Sequence, residues 1–188
     1  MNRSASEAPE EAPEGAGQLT QLPNGGYRVT FVRHYERPVE DLWEAITSPE
    51  GLDAWYPTKL RHEGVVGSKV TENFESVDGT PPPEAPDGVI TAFDPPNVFE
   101  MRIDGPAESE YPGMRGTQVI RMEARDGELT STSELTFVHD LETKESALDV
   151  LPGWHWCLEM LALQMGSQGD ASKEHHERLR EYYKRTFG

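Results

Sequence analysis

The chain has 188 residues, enough for one substantial core and too few for two ordinary domains with a linker. Hydrophobic residues make up 35% and aromatic ones 9%, which excludes wholesale disorder. Seventeen Lys and Arg against 34 Asp and Glu leave a net charge of −17, which argues against nucleic acid and against an anionic membrane surface as partners.

After Met1 and Asn2, residues 3–17 are Ala, Glu, Pro, Gly, Ser and Gln-free with one Arg, so that 1–17 is a mixture that cannot bury enough apolar surface to offset the entropy of ordering it. Arg3 is set there against Glu7, Glu10, Glu11 and Glu14, so most of the acidity belongs to the folded part. After the turn Pro23-Asn24-Gly25-Gly26, the run Tyr27–Glu36 is rich in β-branched and aromatic residues and reads as a long strand. Pro38 opens an amphipathic helix in which Val39, Leu42, Trp43 and Ile46 recur at three- and four-residue spacing. Ser48 caps a second, brief helix from Pro49, with Leu52, Trp55 and Tyr56 inward and Pro57 as its stop.

A string of strands follows at about 58–64, 68–76, 87–94, 97–103, 117–125 and 128–138. Arg125-Asp126-Gly127-Glu128 predicts a tight hairpin, and sequential antiparallel pairing is the economical topology. Two long connections, 78–86 and 104–116, are rich in turn residues. From Pro152 to Met165 two apolar stripes share one helix, Trp154, Leu158, Leu161, Met165 and Trp156, Met160, Leu163, so this helix is expected to be enclosed. Gly166 and Gly169 end it, and 173–187 reads as a charged helix carrying Leu179, Tyr183 and Phe187 at four-residue spacing. The domain organisation expected is a flexible acidic arm at 1–22, a ligand-binding domain at 23–169 and a helical extension at 170–188.

The order of strand, two short helices, antiparallel strands and a long enclosed helix resembles the α+β helix-grip fold of the START-like, or SRPBCC, superfamily. The wording Arg37-Pro38-Val39-Glu40-Asp41-Leu42-Trp43-Glu44-Ala45-Ile46-Thr47, then Pro49-Glu50-Gly51-Leu52 and Trp55, is similar to the opening of its bacterial branch named after the activator of the ninety-kilodalton heat-shock protein's ATPase. Gly88-Val89-Ile90 before Phe93-Asp94-Pro95-Pro96, Gly116-Thr117 and Gly153-Trp154 add weaker matches, so that most of 27–165 is covered. The resemblance implies a curved sheet wrapped around the carboxy-terminal helix, with a cavity between them for a hydrophobic or amphipathic molecule. It carries no single reaction, since members range from carriers and hormone receptors to polyketide cyclases and co-chaperones.

Chemistry is sparse. The six His and one Cys fall into no zinc-ligand pattern, His175-His176 read as a solvated surface, and no metal or cofactor is expected. Cys157, the only cysteine, excludes an internal disulfide and sits in an apolar helix, where a thiol packs as a small hydrophobe. With no apolar stretch of signal-peptide length at the start and no run approaching the roughly 18 residues of a membrane span, a cytoplasmic address is expected. No nucleophile elbow, P-loop or dinucleotide fingerprint occurs.

The expected wall of the cavity comprises Trp55, Glu72, Phe74, Arg102, Glu134, Trp154, His155 and Met160. Three functions are weighed on it: binding of a small hydrophobic molecule, a cyclase- or dehydratase-type reaction with Glu72 and Arg102 or Glu134 and His155 as the ionisable pair, and a co-chaperone role. Trp43, Trp55, Trp154 and Trp156 are read either as core or as an aromatic box. The Leu179, Tyr183, Phe187 stripe either mediates a homodimer or packs back on the sheet.

Overall fold

Strict alternation in the first long strand sends Val29, Phe31, Arg33 and Tyr35 inward and leaves Arg28, Val32 and His34 exposed, which fixes the concave side of a single sheet. The computed structural model describes residues 12–74, 86, 88–129 and 131–188. Among them eight antiparallel strands form a curved sheet. In chain order they are β1 (Gln18–Gln21), β2 (Tyr27–Tyr35), β3 (Lys59–Arg61), β4 (Lys69–Asn73), β5 (Gly88–Asp94), β6 (Val98–Asp104), β7 (Thr117–Asp126) and β8 (Ser133–Leu141). Their order across the sheet is β1-β2-β8-β7-β6-β5-β4-β3, so the first long strand closes against the last. The helices are α1 (Val39–Thr47), α2 (Pro49–Leu52), α3 (Lys144–Gln164) and α4 (Lys173–Phe187). Ser48 caps α2 by accepting from the Gly51 N–H.

The inner faces of β2, β6, β7 and β8 supply Phe31, Phe99, Met101, Met122, Leu135 and Phe137; α3 packs against β2 and β8 with Leu151, Leu158 and Leu161 fully buried, and α1 packs against β7 and β8. Each such side chain contributes about 1.5–3 kcal/mol on leaving water. The helix-grip architecture follows from this packing. Among the described residues no helix is long and apolar enough to cross a membrane.

Three expectations need correction. The helix expected to open at Pro152 starts at Lys144, capped by Thr143 accepting from the Ser146 N–H, and Pro152 lies inside it. Pro152 cannot donate to the carbonyl four residues back, a cost of about 3 kcal/mol, but it sits in a stretch where Leu151, Pro152 and Trp154 are all buried. The hairpin after β7 is wider than the Asp126-Gly127 turn: Asp126 pairs with Ser133. That register sets Met122 opposite Phe137 and Ala124 opposite Leu135, whereas a tight turn would oppose them to Ser131 and Leu129. Of the arm expected at 1–22, residues 1–11 lie outside the described residues, and Gln18–Gln21 form an edge strand paired with β2. Leu19 packs on the core there and the Gly17 N–H reaches the Tyr183 hydroxyl at 2.7 Å.

Candidate functional site

A cavity of about 400 Å³ lies between α3 and the inner face of the sheet. Helical spacing brings Val150, Gly153, Trp154 and Cys157 of α3 to one wall. Ile103, Gln118, Ile120 and His139 come from β6, β7 and β8, and Glu72 with Phe74 from β4 and the residue following it. Tyr56 and Thr58 close one end. The connection between β6 and β7 lies over the mouth with Tyr111, Gly113 and Met114, and it is tied to α3 by the Gly113 N–H donating to Asp149 Oδ2 at 2.9 Å and by Arg115 on Glu145 at 2.9 Å. Other depressions, bordered by Arg37 and Glu44, by Glu108 and Arg115, or by Glu181 and Lys184, have charged rims and lack such apolar walls.

Hydrogen bonding fixes the polar part of the cavity. The Trp154 indole N–H, which can only donate, lies 2.8 Å from His139 Nδ1, so that nitrogen accepts. Burial drives the His139 pKa down to about 3, so the ring is neutral and its proton sits on Nε2. Nε2 then donates to Gln118 Oε1 at 2.8 Å, which leaves the Gln118 NH2 without a protein acceptor among the described residues. The cavity is therefore offered an amide donor on a rigid chain of three side chains. His139 itself has no lone pair left for proton abstraction.

Glu72 is the second polar feature. Its Oε1 accepts from the Tyr56 hydroxyl at 2.9 Å, and no Lys or Arg of the described residues forms an ion pair with it. Burial raises the carboxyl pKa, with the Tyr56 hydrogen bond opposing. Burial, and then the carboxylate's charge, push the Tyr56 hydroxyl well above its ordinary value, so it remains a donor. Cys157, also on the wall, has its thiol pushed up to about 12 by burial and is no nucleophile at neutral pH.

Of the expected wall residues, Glu72, Phe74 and Trp154 line the cavity. Trp55 does not: it is buried behind Tyr56 with its indole N–H spent on the Ala45 carbonyl. Arg102 and Glu134 are on the convex face. Arg102 alternates with the buried Met101 and Ile103 and pairs with Asp104, while Glu134 alternates with Ser133 and Leu135 and pairs with Arg125. Met160 packs on the core beyond the end of the cavity at Cys157. His155 points to the opposite side of α3, where its Nδ1 lies 2.7 Å from the Tyr183 hydroxyl.

Neither proposed ionisable pair converges, and the four tryptophans form no box, since Trp43 packs on Phe93 and Trp156 on His176. The Leu179 and Tyr183 stripe is used within the chain, buried against α3. His175, read from the sequence as solvated, faces His155 with ring centroids 5.9 Å apart. The site residues that the sequence reading missed are Tyr56, Gln118, His139 and Cys157. Alternation carried past residue 138 places His139 beside Leu135 and Phe137, and the same rule puts Gln118 with Ile120 and Met122.

A family described as activator of Hsp90 ATPase homolog 1-like protein matches residues 36–166. The chain belongs to this family. Among solved structures, CalU16 from Micromonospora echinospora is 16% identical to this AHSA1-like chain, with 90% of this chain and 92% of that one covered at a TM-score of 0.65. The Aha1 dimer of Colwellia psychrerythraea is 21% identical over 74% of this chain and 97% of that one, at 0.53. DynU16, from the dynemicin biosynthetic locus, is 16% identical over 74% of this chain and 48% of that one, at 0.55. At these identities the likeness is one of fold. No curated protein matches the AHSA1-like chain significantly.

Proposed function

We propose that this AHSA1-like chain binds a small, largely apolar molecule in the cavity between α3 and the sheet, as a carrier, sensor or sequestering protein. The observation that carries the reading is the pairing of apolar walls with one fixed amide donor, Gln118, and one carboxylate, Glu72. The volume, about 400 Å³, lies within the range of small-molecule sites, and convergent polar groups in an apolar hollow are their usual signature. The preferred guest presents a carbonyl or phenolic oxygen to Gln118. The single cysteine suits a reducing compartment, in keeping with a cytoplasmic address.

Native mass spectrometry and thermal shift against fatty acids, aromatic polyketides and other aromatics test the reading. The expected result is a one-to-one complex with a raised melting temperature, lost in Gln118→Leu for guests whose recognised group is an oxygen acceptor. Absence of any complex across the three classes overturns it.

A second reading, a proton-transfer enzyme using the same cavity, is favoured by one observation: Glu72 is a half-buried carboxyl of raised pKa beside the Tyr56 hydroxyl and faces the hollow. Glu72→Gln separates the two readings. The amide oxygen can still accept from Tyr56, so stability should stay within about 1 kcal/mol or rise as a desolvated charge is removed. Under the binding reading affinity for neutral guests is kept. Under the enzyme reading guest binding is kept while turnover of a converted guest disappears, and turnover unchanged in Glu72→Gln rules Glu72 out as the acid or base.

A further inference from the structure

Helix α4 lies beyond the residues that the family match covers. It brings one histidine to the far side of α3 from the cavity. His155 and Glu159, four residues apart, project from one face of α3. His175, in the first turn of α4, meets them, and one ligand atom from each of the three lies within 4.8 Å of the others. His155 is 1% exposed, and its Nε2 is shut off from solvent with Glu159 Oε1 3.4 Å away, while His175 Nε2 is shut off from solvent with no hydrogen-bond partner among the described residues. A buried, unpaired polar atom costs about 1–3 kcal/mol unless something takes its lone pair.

The outward atoms are held. His155 Nδ1 is 2.7 Å from the Tyr183 hydroxyl, whose oxygen also accepts from the Gly17 N–H. His175 Nδ1 accepts from Arg178 Nη2 at 3.3 Å, with Asp170 Oδ2 3.7 Å away, and Glu159 Oε2 accepts from the Asp170 N–H at 3.0 Å. An imidazole that binds metal is normally set as His155 is, with one nitrogen free for the ion and the other on an oxygen. We propose that His155, Glu159 and His175 bind one divalent first-row transition ion, zinc(II) in the first instance, and that the ion locks α4 onto the gripped helix.

Two nitrogens and a carboxylate suit zinc and its neighbours rather than calcium or magnesium, which take oxygen ligands. Zinc bonds of about 2.0–2.2 Å require the three atoms to draw together by roughly 1 Å, and His175 sits on the element that can move to do so. Two charges work against loading. Arg33, held on the Gly15 carbonyl, stands 4.0 Å from Glu159 Oε1, and Arg178, paired with Asp170, donates to His175 Nδ1 at 3.3 Å, so loading requires it to release that nitrogen and the ring proton to move from Nε2 to Nδ1, toward Asp170 Oδ2.

The test is calorimetric titration of the full chain, stripped with chelator, with zinc(II) in excess magnesium, beside cobalt(II) titration followed by its visible absorption. One equivalent of zinc is expected to bind despite the magnesium, with a nitrogen-ligated cobalt spectrum. His175→Ala and Glu159→Gln should each weaken binding by about tenfold or more, while His176→Ala leaves it unchanged. Hydrogen exchange over 173–187 in the unaltered protein, which needs no variant to fold, should slow on adding zinc. Absence of saturable binding, binding undiminished in His175→Ala, or exchange unaffected by zinc each overturns the proposal.

Discussion

Replacing Gly153 by leucine should abolish guest binding and leave the protein more stable than before. Gly153 is an interior residue of α3 and lines the cavity, and a Cβ built on it meets nothing within 4 Å. Glycine inside a helix costs about 1 kcal/mol relative to alanine, and leucine is nearly as good a helix former as alanine. The added side chain enters a hollow bordered by Ile120, Val150 and Trp154, so it gains apolar contacts without displacing packed atoms. An increase of about 1 kcal/mol in unfolding free energy is expected, read by urea denaturation. The same volume is subtracted from the guest, so binding of a cavity-directed dye such as anilinonaphthalene sulfonate, or of a guest found by mass spectrometry, should fall at least tenfold. A stabilised variant that binds as before would place the guest elsewhere. A destabilised one would mean that the hollow is smaller than its walls suggest.

Gly153 also illustrates what a sequence can and cannot convey. Gly153-Trp154 was recognisable as the entry to an enclosed segment, and the period-two pattern of Val70, Glu72 and Phe74 was enough to turn Glu72 inward. Alternation is a statement about parity, however, and leaves open which parity is inside. Val98, Glu100 and Arg102 share one face, and it is the buried set Phe99, Met101 and Ile103 that assigns Arg102 to solvent. Glu134 fails for the same reason, with Leu135 and Phe137 as the set that decides. Polar residues in the inward parity, Gln118 and His139, were hidden because each lies near an end of its strand and the strand ending was drawn one residue short of His139.

Pro152 misled differently. A proline after Leu151 reads as a helix start, and only the tertiary burial of that stretch lets the helix run through it. The His155, Glu159 and His175 cluster was beyond reach, because its third member depends on how α4 crosses α3 after the 165–172 connection. A histidine four residues before a glutamate on a helix was the available half of the signal.

The polar chain in the cavity predicts how the fold fails in acid. His139 is buried with its pKa lowered from 6.5 to about 3, so between those values the unfolded chain binds a proton that the native one refuses. Stability from this group is complete above about pH 6.5 and is lost progressively on acidification, by at most 1.36 kcal/mol per pH unit, or about 2 kcal/mol by pH 5. Burial lowers the pKa of His155 and of His62 as well, and both act in the same direction. Glu72 acts oppositely: its pKa is raised on folding, so protonating it favours the native state and offsets part of the loss. His139→Gln isolates the first term, because the glutamine oxygen can accept from Trp154 and its NH2 can donate to Gln118, reproducing the neutral tautomer without a titrating group. Denaturation from pH 7 to 5, with chelator present, should give a visibly flatter profile for the variant, its neutral-pH stability being within about 1–2 kcal/mol of the original. Parallel profiles would mean that His139 accepts a proton in the native state, and with it that the tautomer facing Gln118 is not fixed.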